Sequence, residues 1–283
     1  MVERRSRASW LPHALLFAGV LVFAFPIYTA LIGSTHDAAT IGRGDLPLYP
    51  GSHGVENYTQ AWSQGSGERV KASPVAKMMA NSFVMALVIA VGKIAVSLIS
   101  AYAVVFFRFP LRMFFFWMIF ITLMLPVEVR IIPTFKVVSD LHLINTFGGL
   151  TIPLIASATA TLLFRQFFMT IPDELLEASK IDGAGPFKFF KDTLLPLSMT
   201  TIAALFVIQF IYGWNQYLWP LLITTQDSMQ TIVTGIKKML YTTDELAEWQ
   251  LAMATAILAM LPPVAVVVFM QRLFVRGLVE TEK

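Results

Sequence analysis

The chain has 283 residues, 56% of them hydrophobic and 14% charged, against roughly 25% charged in ordinary soluble domains. The absence of cysteine excludes disulfides and thiolate metal sites, and a net charge of +3 reads as a trace of membrane orientation rather than as a nucleic-acid surface. Apolar stretches long enough to cross about 30 Å of hydrocarbon recur at 11–33, 78–107, 113–133, 148–169, 198–223 and 250–271, which leaves no room for a large soluble domain.

In chain order, Arg4, Arg5 and Arg7 precede the first apolar run. A charged start fits a signal peptide, but the run is long and no small-x-small cleavage site follows, so a retained helix is expected over 11–33. Residues 34–77 are the longest polar stretch, and Leu46-Pro-Leu-Tyr-Pro-Gly51 reads as turns. The stretch is either a connector or a surface for an extracytoplasmic partner. Lys93 lies near the middle of 78–107. Half a span is about 15 Å at about 1.5 Å per residue, beyond the reach of a lysine, so Lys93 should face the bundle interior or a watery path. Gly92-Lys93 is the only Gly-Lys pair. Leu87 stands where a P-loop needs its first glycine and Ile94 where it needs Ser or Thr, so no P-loop is present, and any energy-driven process would draw on another chain or an ion gradient.

Further on, Arg108-Phe-Pro-Leu-Arg112 is a tight charged turn. Pro126 and Pro133 bracket a stretch that should not be a plain helix. Glu128 and Arg130 within it either pair, stay solvated at the rim, or line a path. Arg165 should snorkel from the fourth span. Loop 170–197 carries strong helix punctuation. Thr170-Ile-Pro-Asp173 is a start signature with Asp173 and Glu174 at the positive end of the dipole. Ile171, Leu175, Ala178 and Ile181 recur at helical spacing, Gly183 suits a cap with positive φ, and Gly185-Pro186 restarts a helix bearing Phe187, Phe189 and Phe190. Such a helix either lies on the bilayer or docks a partner. In Gly213-Trp-Asn-Gln-Tyr-Leu-Trp-Pro220, the amides of Asn215 and Gln216 need partners in protein or water. Trp214, Asn215, Gln216 and Tyr217 are what a polyol needs, and are equally what glues helices of two subunits together. Trp10, Trp62, Trp219 and Trp249 sit near span ends, as interfacial anchors do.

With the N-terminus inside, the inner segments hold 12 Lys and Arg and the outer ones 8, so both termini are expected inside. The four histidines are scattered without metal-ligand spacing, and no Gly-x-Ser-x-Gly occurs.

Glu177-Ala178-Ser179, three residues, Gly183, nine residues and then Thr193-Leu-Leu195-Pro196 resemble the cytoplasmic coupling loop of binding-protein-dependent ABC importers. Ser179 stands for an alanine of that pattern and Thr193 for an apolar residue. Residues 115–130, 157–161, 164–169, 181–184, 210–220 and 270–279 are similar to permease subunits of the carbohydrate-uptake type, in particular those of sn-glycerol 3-phosphate importers. The resemblance implies an all-α membrane protein with six transmembrane helices, the type I importer fold, and both termini cytoplasmic, in the bacterial inner membrane. The chain would be one transmembrane domain over 1–283. It would comprise a first helix 11–33, a periplasmic loop 34–77, a core 78–271 with the coupling loop 170–197, and a tail 272–283. Implied partners are a second related permease subunit, two cytosolic ATPase subunits, a periplasmic substrate-binding protein and membrane lipid. The chain would have no cofactor of its own, ATP being bound by the ATPase subunits, and would not be an enzyme. Leu175, Glu177, Ala178, Ser179, Ile181, Asp182, Gly183 and Ala184 would make the ATPase coupling contacts. Candidates for the substrate path are Lys93, Glu128, Arg130, Trp214, Asn215, Gln216 and Tyr217, since a phosphate ester needs cations or helix N-termini in low dielectric. The competing expectation is a self-contained channel or ion-coupled carrier for a small polar solute.

Overall fold

The computed structural model describes residues 10–66, 72–122, 125, 127–240 and 248–280, without the side chains of 127, 128 and 272–280. Arg4, Arg5, Arg7, Arg69, Lys71, Pro126, Lys283 and the side chains of Glu128, Arg272 and Arg276 therefore lie outside the described part.

The described residues form helices joined by turns and loops, with no strand among them. In order they form α1 (Trp10–Gly33), α2 (Ala38–Gly42), α3 (Gly54–Ser63), α4 (Val75–Phe106), α5 (Arg112–Ile121), α6 (Val127–Asp140) and α7 (Phe147–Thr151). There follow α8 (Ala158–Phe168), α9 (Asp173–Ile181), α10 (Pro186–Leu197), α11 (Met199–Trp214), α12 (Leu218–Ile223), α13 (Ile232–Leu240) and α14 (Trp249–Glu280). Among them, α1, α4 and the stretch Trp249–Gln271 of α14 are long and apolar enough to cross a membrane. Two bent pairs bring the number to as many as five: Phe147–Leu154 with α8, bent by 48°, and α10 with α11, bent by 71°.

The apolar windows at 11–33, 78–107 and 250–271 match single helices. The others are built differently from expectation. The window 113–133 is no straight span: α5 ends at Ile121 and α6 starts at Val127. Pro133 sits inside α6, so the stretch after Pro126 is a plain helix after all. A lost interior hydrogen bond is tolerable where neighbouring groups re-satisfy the freed carbonyl. The window 148–169 breaks before Ser157, and 198–223 breaks at Asn215–Tyr217. The segment 272–283 is helical as far as Glu280.

Two compact units are distinguishable, one of Met1–Met78 with Gly235–Leu261 and one of Met79–Thr234 with Pro262–Lys283. In the first, the polar stretch after α1 is folded rather than slack. Asn57 Nδ2 donates to the carbonyls of Ser34 (2.9 Å) and His36 (2.8 Å), His36 Nε2 donates to Tyr49 O (2.8 Å), and Tyr28 OH donates to Leu48 O (2.6 Å). In the second, two apolar clusters organise the helices. One gathers Ile94, Leu98 and Ala101 of α4 with Phe164 and Phe168 of α8, Phe189 and Leu194 of α10, and Leu205 of α11. The other joins Met85 and Ile89 of α4 to Val138, Leu150, Trp219 and Ile223. A Cβ on Gly213 would stand 2.8 Å from Ala86 Cα, so α11 and α4 meet at backbone distance, as small residues allow between membrane helices.

Trp219 belongs to the second cluster. It is 4% exposed and its Nε1 donates to Gly149 O at 3.0 Å. It is a core residue and not the interfacial anchor its position suggested, whereas Trp10, Trp62 and Trp249 are exposed.

Candidate functional site

Two regions gather the residues singled out in the sequence. The first is α9 and the turn after it. Pro172 precedes the helix in extended conformation, and Asp173 and Glu174 occupy its first turn, where the N–H groups favour carboxylates. The end is a two-bond cap: Gly183 N–H donates to Lys180 O (3.0 Å) and Ala184 N–H to Ser179 O (2.9 Å). Gly183 has φ +71°, with no atom within 4 Å of where a Cβ would stand. No residue of α9 is fully buried. Its sides nevertheless differ. Ile171 and Leu176 pack against the cluster under α4 and α8. Ser179 and Ala184 are half-buried and, with Leu176, Tyr102, Phe106 and Pro186, line a small cleft of about 140 Å³. Tyr102 OH donates to Pro186 O across it at 2.8 Å, which ties α10 to the end of α4.

Leu175, Glu177, Ala178, Asp182 and Gly183 are exposed, as is Ile181 at 86% and Phe187 at 77%. The apolar set expected as one face thus divides: Ile171 points to the core, and Leu175, Ala178 and Ile181 do not. Of the eight residues expected to couple, Ser179 and Ala184 face their own chain.

The second region is a cleft within the second unit. One part, about 570 Å³, is lined by Lys93, Ser100, Thr122, Arg130, Ser157 and Tyr212 among others. A second part, about 330 Å³, is lined by Arg130, Tyr212, Asn215, Gln216, Tyr217 and Trp219 among others. Arg130, Pro153, Leu154 and Tyr212 border both parts. The helix breaks explain the composition: where α7 gives way to α8, and α11 to α12, backbone and polar side chains reach the cleft instead of lipid. Lys93 is 6% exposed and its Nζ sits 3.4 Å over the Tyr212 ring centroid, a cation–π contact. Gln216 Nε2 donates to Tyr212 O at 3.1 Å.

Of the path candidates, Lys93, Arg130, Asn215, Gln216 and Tyr217 are brought together here. Trp214 is not: it is 2% exposed and stacked on Phe210 at 6.0 Å between centroids. Glu128 lies on α6, and its side chain is outside the described part. Tyr212 and Ser157 were missed. Tyr212 stands three and four residues before Asn215 and Gln216, one helical turn away on the same face, and that spacing was the available signal. Arg165, expected to snorkel, instead stacks its guanidinium 4.4 Å over the buried Phe116 ring. Among the described residues no group of His, Asp and Glu could hold a metal ion.

Residues 93–280 match the family described as binding-protein-dependent transport system inner membrane component. The chain is 59% identical over 283 residues to the sn-glycerol-3-phosphate transport system permease protein UgpE of Rhizobium meliloti (strain 1021), with all of both chains covered. It is equally identical, over the same length, to the protein of that name from Agrobacterium fabrum. In architecture it is similar to the crystal structure of a bacterial ABC transporter involved in the import of the acidic polysaccharide alginate. There the TM-score is 0.80 at 20% identity, over 96% of this chain and 99% of that one. The chain therefore belongs to the inner-membrane permease components of binding-protein-dependent ABC importers, a multi-pass family of the bacterial inner membrane.

Proposed function

We propose that the chain is one of two related permease subunits of an importer for sn-glycerol 3-phosphate, with glycerophosphodiesters as further substrates. The observation that carries the substrate is identity of 59% over the full length to relatives bearing that name. Six spans follow if α5 and α6 together make the third, and the Lys/Arg asymmetry supports both termini in the cytoplasm. The whole chain then forms one transmembrane domain whose 170–197 loop is cytoplasmic. The partners are the second permease subunit, two ATPase subunits and a periplasmic binding protein.

The chemistry of this chain is binding and mechanical coupling. With no P-loop in the sequence, ATP is bound and hydrolysed by the ATPase subunits. Leu175, Ala178 and Ile181 offer the apolar surface those subunits would grip, and Glu177 and Asp182 the polar rim. Ser179, Gly183 and Ala184 hold the end of α9 against α10, so a push on α9 reaches α4 and α8 through Leu176 and Phe189. The cleft would then open alternately to each side, and substrate would pass unmodified beside Lys93, Arg130 and the Asn215–Tyr217 break, with Glu128 of α6 a further candidate and Trp214 packed behind the break.

The experiment is reconstitution. The purified chain alone should hydrolyse no ATP. The complex with the second permease and the ATPase subunits should hydrolyse it faster when loaded binding protein is added. Robust hydrolysis by the chain alone would overturn this reading, and solute flux by the chain alone along an ion gradient would favour the carrier.

A further inference from the structure

The wider part of the cleft has a feature that the roles above leave unused. Ala156, Ser157, Ala158 and Thr159 border it, and they are the break before α8 and the first turn of that helix. The Ser157 hydroxyl accepts the N–H of Ala160 at 3.2 Å. The N–H groups of Ala158 and Thr159 come earlier in the turn and have no hydrogen-bond acceptor among the described residues. They are the orphan donors that every helix start leaves, at the end that carries about half a positive charge.

Lys93 reaches the same space from α4. As a residue Lys93 is more than nine-tenths buried, and its ammonium makes no hydrogen bond or ion pair among the described residues; its contact is the Tyr212 ring. A buried ammonium without an acceptor is unfavourable unless something supplies one. No Asp or Glu is among the described residues lining either part of the cleft, and Arg130 adds a second cation to both. Two cations and a helix N-terminus thus border one cavity with no described carboxylate beside them.

We infer that Lys93 and the first turn of α8 form a phosphoryl-binding subsite, so that this subunit itself holds the phosphate end of the solute in transit. The inference rests on the substrate reading above. A phosphate monoester carries about −1.5 to −2 charge near neutral pH and several acceptor oxygens. The Lys93 ammonium meets it as a point charge, the Ala158 and Thr159 N–H groups donate to its oxygens, and Arg130 closes the site where the two parts of the cleft join. The Asn215, Gln216 and Tyr217 side then lies open to the glycerol hydroxyls.

Ala158→Pro isolates the helix start. Position 158 is the first helical residue, where proline fits and removes only the donor, and Ser157 before it is already extended at φ −146° and ψ 108°, as a residue preceding proline must be. The test is uptake of radiolabelled sn-glycerol 3-phosphate into proteoliposomes holding the full importer complex with its binding protein. Wild type is compared with Lys93→Met, Lys93→Arg and Ala158→Pro, each first shown to assemble. Lys93→Met should lower uptake below saturation by about tenfold or more, Lys93→Arg should recover most of it, and Ala158→Pro should lower it about threefold to tenfold. If Lys93→Met does not assemble, the other two variants decide. Wild-type uptake with unchanged rates in the assembled variants overturns the subsite and leaves the substrate reading standing. A wild-type complex that ignores sn-glycerol 3-phosphate overturns the substrate reading, and the subsite falls with it.

Discussion

Gly183 offers a graded test of the coupling loop, because the structure separates backbone strain from crowding. Its φ is +71° and nothing lies within 4 Å of a Cβ placed there. A side chain would therefore meet no wall in this chain, and the cost is conformational. Left-handed backbone costs an ordinary L-residue about 1–2 kcal/mol, which is about 5–30-fold in the population of the capped turn. Asparagine visits this region several-fold more readily than most residues, and a β-branched residue is a true outlier there. The two bonds at stake are Gly183 N–H to Lys180 O and Ala184 N–H to Ser179 O, which place α10 after α9. ATP-dependent uptake, and retention of the ATPase subunits on the purified permease, should fall in the order wild type, Gly183→Asn, Gly183→Ala, Gly183→Val. Gly183→Asn should remain within about threefold of wild type and Gly183→Val should lose about tenfold or more. Equal activity in all four would refute a coupling role. Equal loss in all three variants would refute the conformational account and point to a partner surface touching Gly183 directly.

Two other predictions concern placement. The chain has no native cysteine, so single cysteines report contacts cleanly. Ile181→Cys, on an exposed side chain, should cross-link to an ATPase subunit in membranes, whereas Leu176→Cys, packed on the core, should not. Cross-linking at Leu176 and none at Ile181 would invert the assigned face. Trp219→Phe keeps one aromatic ring but shrinks the side chain and leaves Gly149 O without its donor, so the thermal midpoint of the purified complex should fall, reflecting a loss of at least about 1–3 kcal/mol. A lipid-facing anchor would tolerate the change, and an unchanged midpoint would restore that assignment.

What could be read from the sequence was what is encoded locally. The start and stop of α9 follow from Pro172, Asp173 and Gly183, because caps act on their own turn of helix. Lys93 could be placed in the interior by reach alone. The breaks inside 148–169 and 198–223 were hidden because hydropathy records how apolar a window is and not which way its axis runs. Ser157 and Asn215 mark those breaks, but a polar residue in an apolar run signals a need for partners and not a change of axis. Trp219 was misread because an anchor and a buried donor occupy the same place near a span end, and only its distant acceptor, the Gly149 carbonyl, tells them apart. The α9 apolar set was assigned by spacing, which cannot say that Leu176, one residue from Leu175, is the one the core takes.

The central claim is tested most directly by measuring sn-glycerol 3-phosphate uptake into proteoliposomes containing this chain, the second permease and the ATPase subunits. Uptake should require ATP on the side of the ATPase subunits and loaded binding protein on the other, and should vanish when this chain is omitted. Accumulation that proceeds without ATP or without binding protein, driven by an ion gradient, would contradict the account.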